Sequence, residues 1–148
     1  MVEFPIAIRP FDRLSDEDFV YATWIKSFRD SPYARAIPTP LYTIGQRSRI
    51  CAILDGAETI IHVACDPDTP ELIYGYAVWG NRDMLHYVYV KGQYRKLGIA
   101  KALLQDKLHE TLQYTHKGDI MLERLLKTNP EYNGWIYNPY NLERSNAN

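Results

Sequence analysis

Along Leu85–Ala100, LHYVYVKGQYRKLGIA, a histidine, two small residues and a basic pair are spaced in a way that suits phosphate binding and proton handling. Arg95-x-x-Gly98-x-Ala100 opens an expected helix. A helix start leaves its first backbone N–H groups without intrahelical partners, at the positive end of the helix dipole. That end is an anion site suited to phosphate. Gly98 and Ala100 carry almost no side chain, so a bulky diphosphate can approach the backbone of Lys96–Ala100 closely. Arg95 adds a planar fork and Lys96 a point charge. Upstream, Val88-Tyr89-Val90 ends an apolar strand that also carries His86. A histidine titrates near ~6.5 and is suited to moving protons near neutrality. Alternation predicts that His86 shares a face with Val88 and Val90.

No Ser-His-Asp or Cys-His pattern marks a covalent nucleophile. Cys51 and Cys65 fit no metal motif and no signal peptide precedes them, so the expectation is a cytoplasmic protein with reduced thiols and no metal. No apolar run approaches the ~20 residues that cross a bilayer. The 148 residues suit one domain spanning 1–148, and 46% hydrophobic with 24% charged residues is ordinary for a soluble globular chain. A net charge of −1 argues against a protein built around a nucleic-acid backbone. The 12 tyrosines mean either a Tyr-rich cleft or aromatic core strands. Lys26, Arg29, Arg35, Arg47 and Arg49 oppose only Asp30 between residues 26 and 50; they form either an anion-attracting wall or a solvated face.

The elements that must position these groups follow from periodicity and breakers. Ile6–Arg9 reads as a strand. Ser15 is expected to cap a helix whose stripe is Val20, Trp24 and Phe28, ending near Asp30 because Ser31-Pro32 disfavours continuation. Ser31–Leu41, with three prolines, is expected as a loop before a second helix over Tyr42–Leu54. Thr59–Ala64, Leu72–Trp79 and Met84–Val90 read as an antiparallel meander. A helix over Lys96–His109 then leads to a strand over Thr111–His116, expected to lie parallel to Met84–Val90. Asp119–Lys127 reads as a short helix and Trp135–Tyr140 as a last strand.

The motif and this order together resemble the GNAT superfamily of acyl-CoA-dependent N-acyltransferases. Their signature is Arg/Gln-x-x-Gly-x-Gly/Ala after a strand, here Arg95 to Ala100 after Val88-Tyr89-Val90, with Lys91-Gly92 in place of the usual x-Pro step. The resemblance covers about residues 5–140, most specifically 84–104. It implies an α/β (α+β) fold: a mixed, mostly antiparallel sheet flanked by helices, with a splayed parallel strand pair forming the acyl-CoA cleft. It implies acetyl-CoA as acyl donor, held by Val88, Tyr89 and Val90 along the strand and by Arg95, Lys96, Leu97, Gly98, Ile99 and Ala100 at the diphosphate.

The reaction so implied is direct attack of a primary amine on the thioester in a ternary complex. It needs a proton acceptor for the amine, an N–H for the developing oxyanion and a proton donor for the thiolate. His86 resembles the proton-relay histidine of one family member, and Asp83 is the alternative acceptor. Many members place an acidic tyrosine on the helix after the fifth strand. Asp119–Lys127 has none, which leaves Tyr132, Tyr137, Tyr140 and His116 as candidates. The acceptor is a small-molecule or protein amine, walled by Trp24–Arg49; nucleic acid is less favoured. The other readings are an inactive CoA- or protein-binding module of this fold and a phage-type enzyme modifying DNA bases. A monomer or homodimer is expected, away from membranes.

Overall fold

The computed structural model describes residues 4–80, 84–105, 113–116, 127 and 135–139. Among them, β1 (Ala7–Pro10), β2 (Ile60–Cys65), β3 (Ile73–Trp79), β4 (Met84–Val90), β5 (Gln113–Tyr114) and β6 (Ile136–Tyr137) form one sheet in that order. The pairs β1–β2, β2–β3 and β3–β4 are antiparallel, whereas β4–β5 and β5–β6 are parallel. The helices are α1 (Arg13–Arg29), α2 (Pro32–Arg35), α3 (Thr39–Leu54) and α4 (Ile99–Leu104). This is a mixed, mostly antiparallel sheet flanked by helices, as the resemblance implied.

The sheet is covered on both sides. Val20, Trp24 and Phe28 of α1 and Tyr42, Ile50 and Ile53 of α3 pack on Ile61, Val63, Tyr76, Val78 and Tyr87. Ile99, Leu103 and Leu104 of α4 pack on Ala77, Leu85, Val88 and Val90, with Tyr114 and Trp135 beside them. β3 is buried along its whole length, which explains its near-continuous apolar sequence. Tyr74, Tyr76, Tyr87 and Tyr114 lie in these cores, so much of the tyrosine excess is core aromatic.

Several boundaries differ from expectation, each for a local reason. The cap of α1 is Asp12, not Ser15; its carboxylate accepts from Leu14 N at 3.1 Å. Asp16 is drawn inward instead, accepting from Arg9 Nη1 at 2.7 Å and Nη2 at 2.9 Å, which ties α1 to β1. The expected loop over Ser31–Leu41 contains a helical turn, α2, capped by Ser31 with Pro32 at its start, and α3 begins at Thr39 with Pro40 in its first turn. Proline is pre-set for a first helical turn because the missing N–H has no intrahelical acceptor there. Of the expected Asp119–Lys127 helix only Lys127 is among the described residues, and the span expected to continue α4 to His109 is described only to 105.

The feature that most affects the site is a fault in the β3–β4 ladder. Val78 pairs with Tyr87 and Trp79 with Leu85, so His86 is an extra residue opposite no partner. Leu85 and Val88 lie in the α4-side core although they are three apart, while Tyr87 lies in the α1/α3-side core. A β-bulge inserts one residue in this way and re-aims a side chain.

Candidate functional site

The β4–α4 junction, expected as an anion cradle, follows a different backbone path from the one expected. A 3-10 turn over Gly92–Tyr94 leaves the strand, and α4 starts at Ile99 rather than Lys96. Between them the backbone is left-handed twice, at Lys96 (φ 67°) and Gly98 (φ 84°). These residues cannot belong to a right-handed helix, which sets its start at Ile99. Successive N–H groups in such a turn converge into an anion-binding concavity. A Cβ on Gly98 would meet nothing within 4 Å, so glycine is favoured there by its φ and not by crowding. Lys96 holds the same conformation with a side chain, at a cost of roughly 1–2 kcal/mol. Lys96, Leu97 and Gly98 are exposed, whereas Ile99 is buried and offers only its backbone. Arg95 does not simply face outward with Lys96. Its Nε donates back to the Val90 carbonyl at 3.4 Å.

Among the described residues the pairing of β4 with its parallel neighbour is short. β5 pairs with Met84 and Leu85, and Thr115 N donates to Leu85 O at 3.0 Å. Among the described residues no strand covers this side of β4 beyond that point. Lys91 N donates to Tyr74 O across β3. By antiparallel alternation, Val88 and Val90 therefore direct their N–H and C=O groups away from β3. Tyr89, the third strand residue singled out, turns its ring to the opposite face, 5.5 Å from Tyr76 and 6.2 Å from Phe19.

Where the pairing of β4 with β5 ends among the described residues, a buried polar chain crosses the sheet. His86 Nδ1 lies 3.0 Å from Thr115 Oγ1, which lies 3.1 Å from His116 Nδ1. His116 Nε2 in turn lies 3.1 Å from Nε2 of Gln46 on α3. All four residues are buried. The rings of Trp24, Phe28 and Tyr87 stand edge-on to His116, at centroid distances of 5.1, 4.8 and 5.9 Å. Burial, with the nearby charge of Arg49 second, lowers His86 to about 4. Burial, then Arg49 and His86, pushes His116 well below the ordinary histidine value. Both rings are therefore neutral at physiological pH.

The bulge corrects the expected orientation of His86. It does not share the face of Val88 and Val90 by simple alternation; its hydrogen bonds run through Thr115 and His116, just past β5, to α3. Asp83, Tyr132 and Tyr140 lie outside the described residues. Tyr137 is half-buried on β6, packed against the α4-side core with its ring 5.5 Å from Tyr114. The arginine group is dispersed. Arg29 Nη1 donates to the carbonyls of Ala34 and Ile37 at 2.8 and 2.7 Å, and Nη2 donates to Thr39 Oγ1 at 3.1 Å. Arg47 lies over the Tyr21 ring, 5.5 Å from its centroid, and Arg49 Nη2 donates to Pro139 O at 3.4 Å. Arg35 is exposed. Thr115 and Gln46 escaped the sequence reading. For Gln46 a signal existed: it is the polar member of the i, i+4 stripe Tyr42–Gln46–Ile50 on a buried helix face.

Among the described residues no three His, Cys, Asp or Glu side chains gather as a metal site, and no helix is long and apolar enough to cross a membrane.

No protein-family model and no curated protein sequence matches the chain. Solved structures do. A histone acetyltransferase HPA2 and related acetyltransferase from Corynebacterium glutamicum is 18% identical over 84% of this chain and 83% of that one, with a TM-score of 0.57. A GCN5-related N-acetyltransferase from Rhodopseudomonas palustris is 16% identical over 86% and 69%, at 0.51. Apo-form YjaB from Escherichia coli is 15% identical over 71% of this chain, at 0.51, and the match spans 65% of that protein's length. With its parallel β4–β5 pair and the Arg95–Ala100 turn, the chain has the GNAT fold, the architecture of the GCN5-related N-acetyltransferases.

Proposed function

We propose that the protein is an acyl-CoA-dependent N-acyltransferase that moves an acetyl group from acetyl-CoA to a primary amine. The observation that carries this reading is the paired left-handed backbone at Lys96 and Gly98, set between the end of β4 and a helix start. A diphosphate accepts hydrogen bonds from such a turn, and Lys96 adds charge to it. The backbone groups of Val88 and Val90 suit the amide-bearing arm of CoA, which pairs as an added strand would. Acyl-CoA supplies an activated thioester; this chain binds it, excludes water and presents donors. A β4 N–H directed away from β3 can stabilise an oxyanion, and His86 is the polar side chain of β4 where its pairing with β5 ends among the described residues.

The acceptor we favour is a small-molecule or protein amine. Arg29 is engaged with the α2–α3 backbone, which leaves less of a basic wall for a nucleic acid than the sequence suggested.

Calorimetry with CoA tests the reading. Gly98→Asp puts a negative charge and a strained φ at the cradle and should abolish binding while circular dichroism stays native. Equal affinity in that variant would remove the proposal. Binding without acetyl transfer to any amine in a broad screen would favour a CoA-binding module.

A further inference from the structure

The buried chain Gln46–His116–Thr115–His86 has a direction, and the direction is fixed at its far end. The amide nitrogen of Gln46 is a donor only. It lies 3.1 Å from His116 Nε2; with the amide in this orientation that nitrogen accepts and carries no proton, whereas a reversed amide would reverse every bond of the chain. His116, a neutral ring, then has its proton on Nδ1 and donates to Thr115 Oγ1 at 3.1 Å. A threonine hydroxyl has one proton, and Oγ1 already accepts from His116. Oγ1 could accept a second time, but its own proton cannot go to His116 Nδ1, which is already protonated; His86 Nδ1, 3.0 Å away, is the acceptor these contacts offer it. His86 Nδ1 accepts, and the proton of this second ring sits on Nε2.

We infer that Gln46, through His116 and Thr115, sets the tautomer of His86, so that its Nε2, the ring nitrogen beside Gly80, carries the proton and is not bare. This rests on the acyltransferase reading for its consequence, though not for its geometry. The chain is built to hold that state. Arg49 faces both rings from α3 and disfavours a second proton on either. Trp24, Phe28 and Tyr87 stand edge-on around His116 and pack its ring. On the Nε2 side of His86 stands Gly80, where a Cβ would come within 2.8 Å of that atom. Where a substrate oxygen or the departing sulfur reaches it past Gly80, an Nε2–H of this kind can hydrogen-bond to it. The protonated Nε2 has no lone pair with which to take the amine's proton, which then leaves to water. Gln46, Thr115 and His116 are positioning residues in this scheme.

Long-range proton–nitrogen NMR on protein labelled at histidine reads the tautomers directly, because protonated and bare ring nitrogens resonate far apart. The wild-type protein should show His86 protonated on Nε2 and His116 on Nδ1. His86 protonated on Nδ1 would overturn the inference. Gln46→Met, close in volume and without a donor, should redistribute the His116 proton between its two nitrogens; unchanged tautomers would equally overturn it. If Gln46→Met fails to fold, Thr115→Val serves, with His86 losing its single tautomer and Thr115→Ser restoring it. With an active acceptor in hand, His86→Gln keeps an N–H donor but cannot titrate. It should retain kcat within about 10-fold of wild type, and activity as low as in His86→Ala would overturn the donor role. The NMR readings require no turnover. A protein that binds no CoA would thus sink the acyltransferase reading while leaving the tautomer result to stand or fall alone.

Discussion

A Cβ on Gly80 would stand 2.8 Å from Nε2 of His86 and 3.4 Å from Sδ of Met84. The end of β3 and the bulged histidine of β4 thus share one space, and only glycine leaves room for both. Gly80→Ala should displace a ring that is held at Nδ1 by Thr115. We expect a stability loss of about 1–3 kcal/mol, as for an overpacked interior, together with a fall in kcat and little change in the affinity for CoA. Urea denaturation and calorimetry on the one variant check both parts.

Lys96 separates charge from conformation. Lys96→Gly removes the ammonium but relaxes the left-handed backbone. The variant should melt no lower than wild type, with up to about 1 kcal/mol gained. Its affinity for CoA should nevertheless fall by roughly 3–10-fold, in keeping with one lost charge-assisted contact. Tighter binding in the variant would show that Lys96 does not meet the diphosphate.

Acid should weaken the fold between about pH 6.5 and 4. His86 and His116 are held neutral in the folded chain, with values below those of the unfolded one. Between the two values the unfolded state binds more protons, so stability is full above ~6.5 and falls as pH drops toward the folded value of about 4 for His86. Each histidine contributes a slope of about 1.4 kcal/mol per pH unit inside its window. Unfolding free energies at pH 7, 5.5 and 4.5 check this, and a flat profile would contradict the burial of the pair. For the same reason, a pH–rate limb near neutrality would not belong to His86.

Asp16 is 2% exposed and joins β1 to α1 through Arg9. Burial alone raises its carboxyl, but the Arg9 hydrogen bonds and the Asp12 N–H outweigh that and leave it below the ordinary aspartate range. Asp16→Asn breaks a bidentate pair and leaves a cation short of its partner. About 2–4 kcal/mol should be lost at pH 7, and less at a pH where the wild-type carboxylate is itself protonated.

Arg29 and Arg47 should part company in kinetics. Arg29→Ala removes three hydrogen bonds that hold the α1–α3 connection and should lower the melting temperature by several degrees. Arg47, exposed on α3 over Tyr21, is the one whose removal should raise the KM of an anionic acceptor and flatten its salt dependence. No change with Arg47→Ala would leave it as surface.

The strands were legible because their β-branched and aromatic runs end on glycine, proline or aspartate: the meander from Thr59 to Val90 lies where the breakers put it. The motif turn was legible from Arg95 to Ala100, since small residues there have few other uses. What the pattern concealed was the fault at His86. Periodicity counts residues, and one unpaired residue in β4 reverses the face of everything before it without altering composition. The partners of His86 were concealed for another reason. Gln46 lies 40 positions away and Thr115 29 positions away, so only the pairing of β5 beside β4 and the packing of α3 on the sheet bring them together. Ser15 gave way to Asp12 as cap because Asp12 reaches the free N–H of Leu14, and two good capping types so close together cannot be ranked by type alone.

The bulge also means that β4 carries a residue the pleat does not count. Every paired residue on either side of it matches its β3 partner in facing: Trp79 with Leu85, Val78 with Tyr87, Ala77 with Val88. Excising His86 altogether would leave that matching intact, because Leu85 and Tyr87 would become ordinary neighbours with opposite orientation. The sheet is therefore complete without its histidine. A shortened chain of this kind separates what the architecture needs from what the site beside it needs, in a way no replacement of the side chain can.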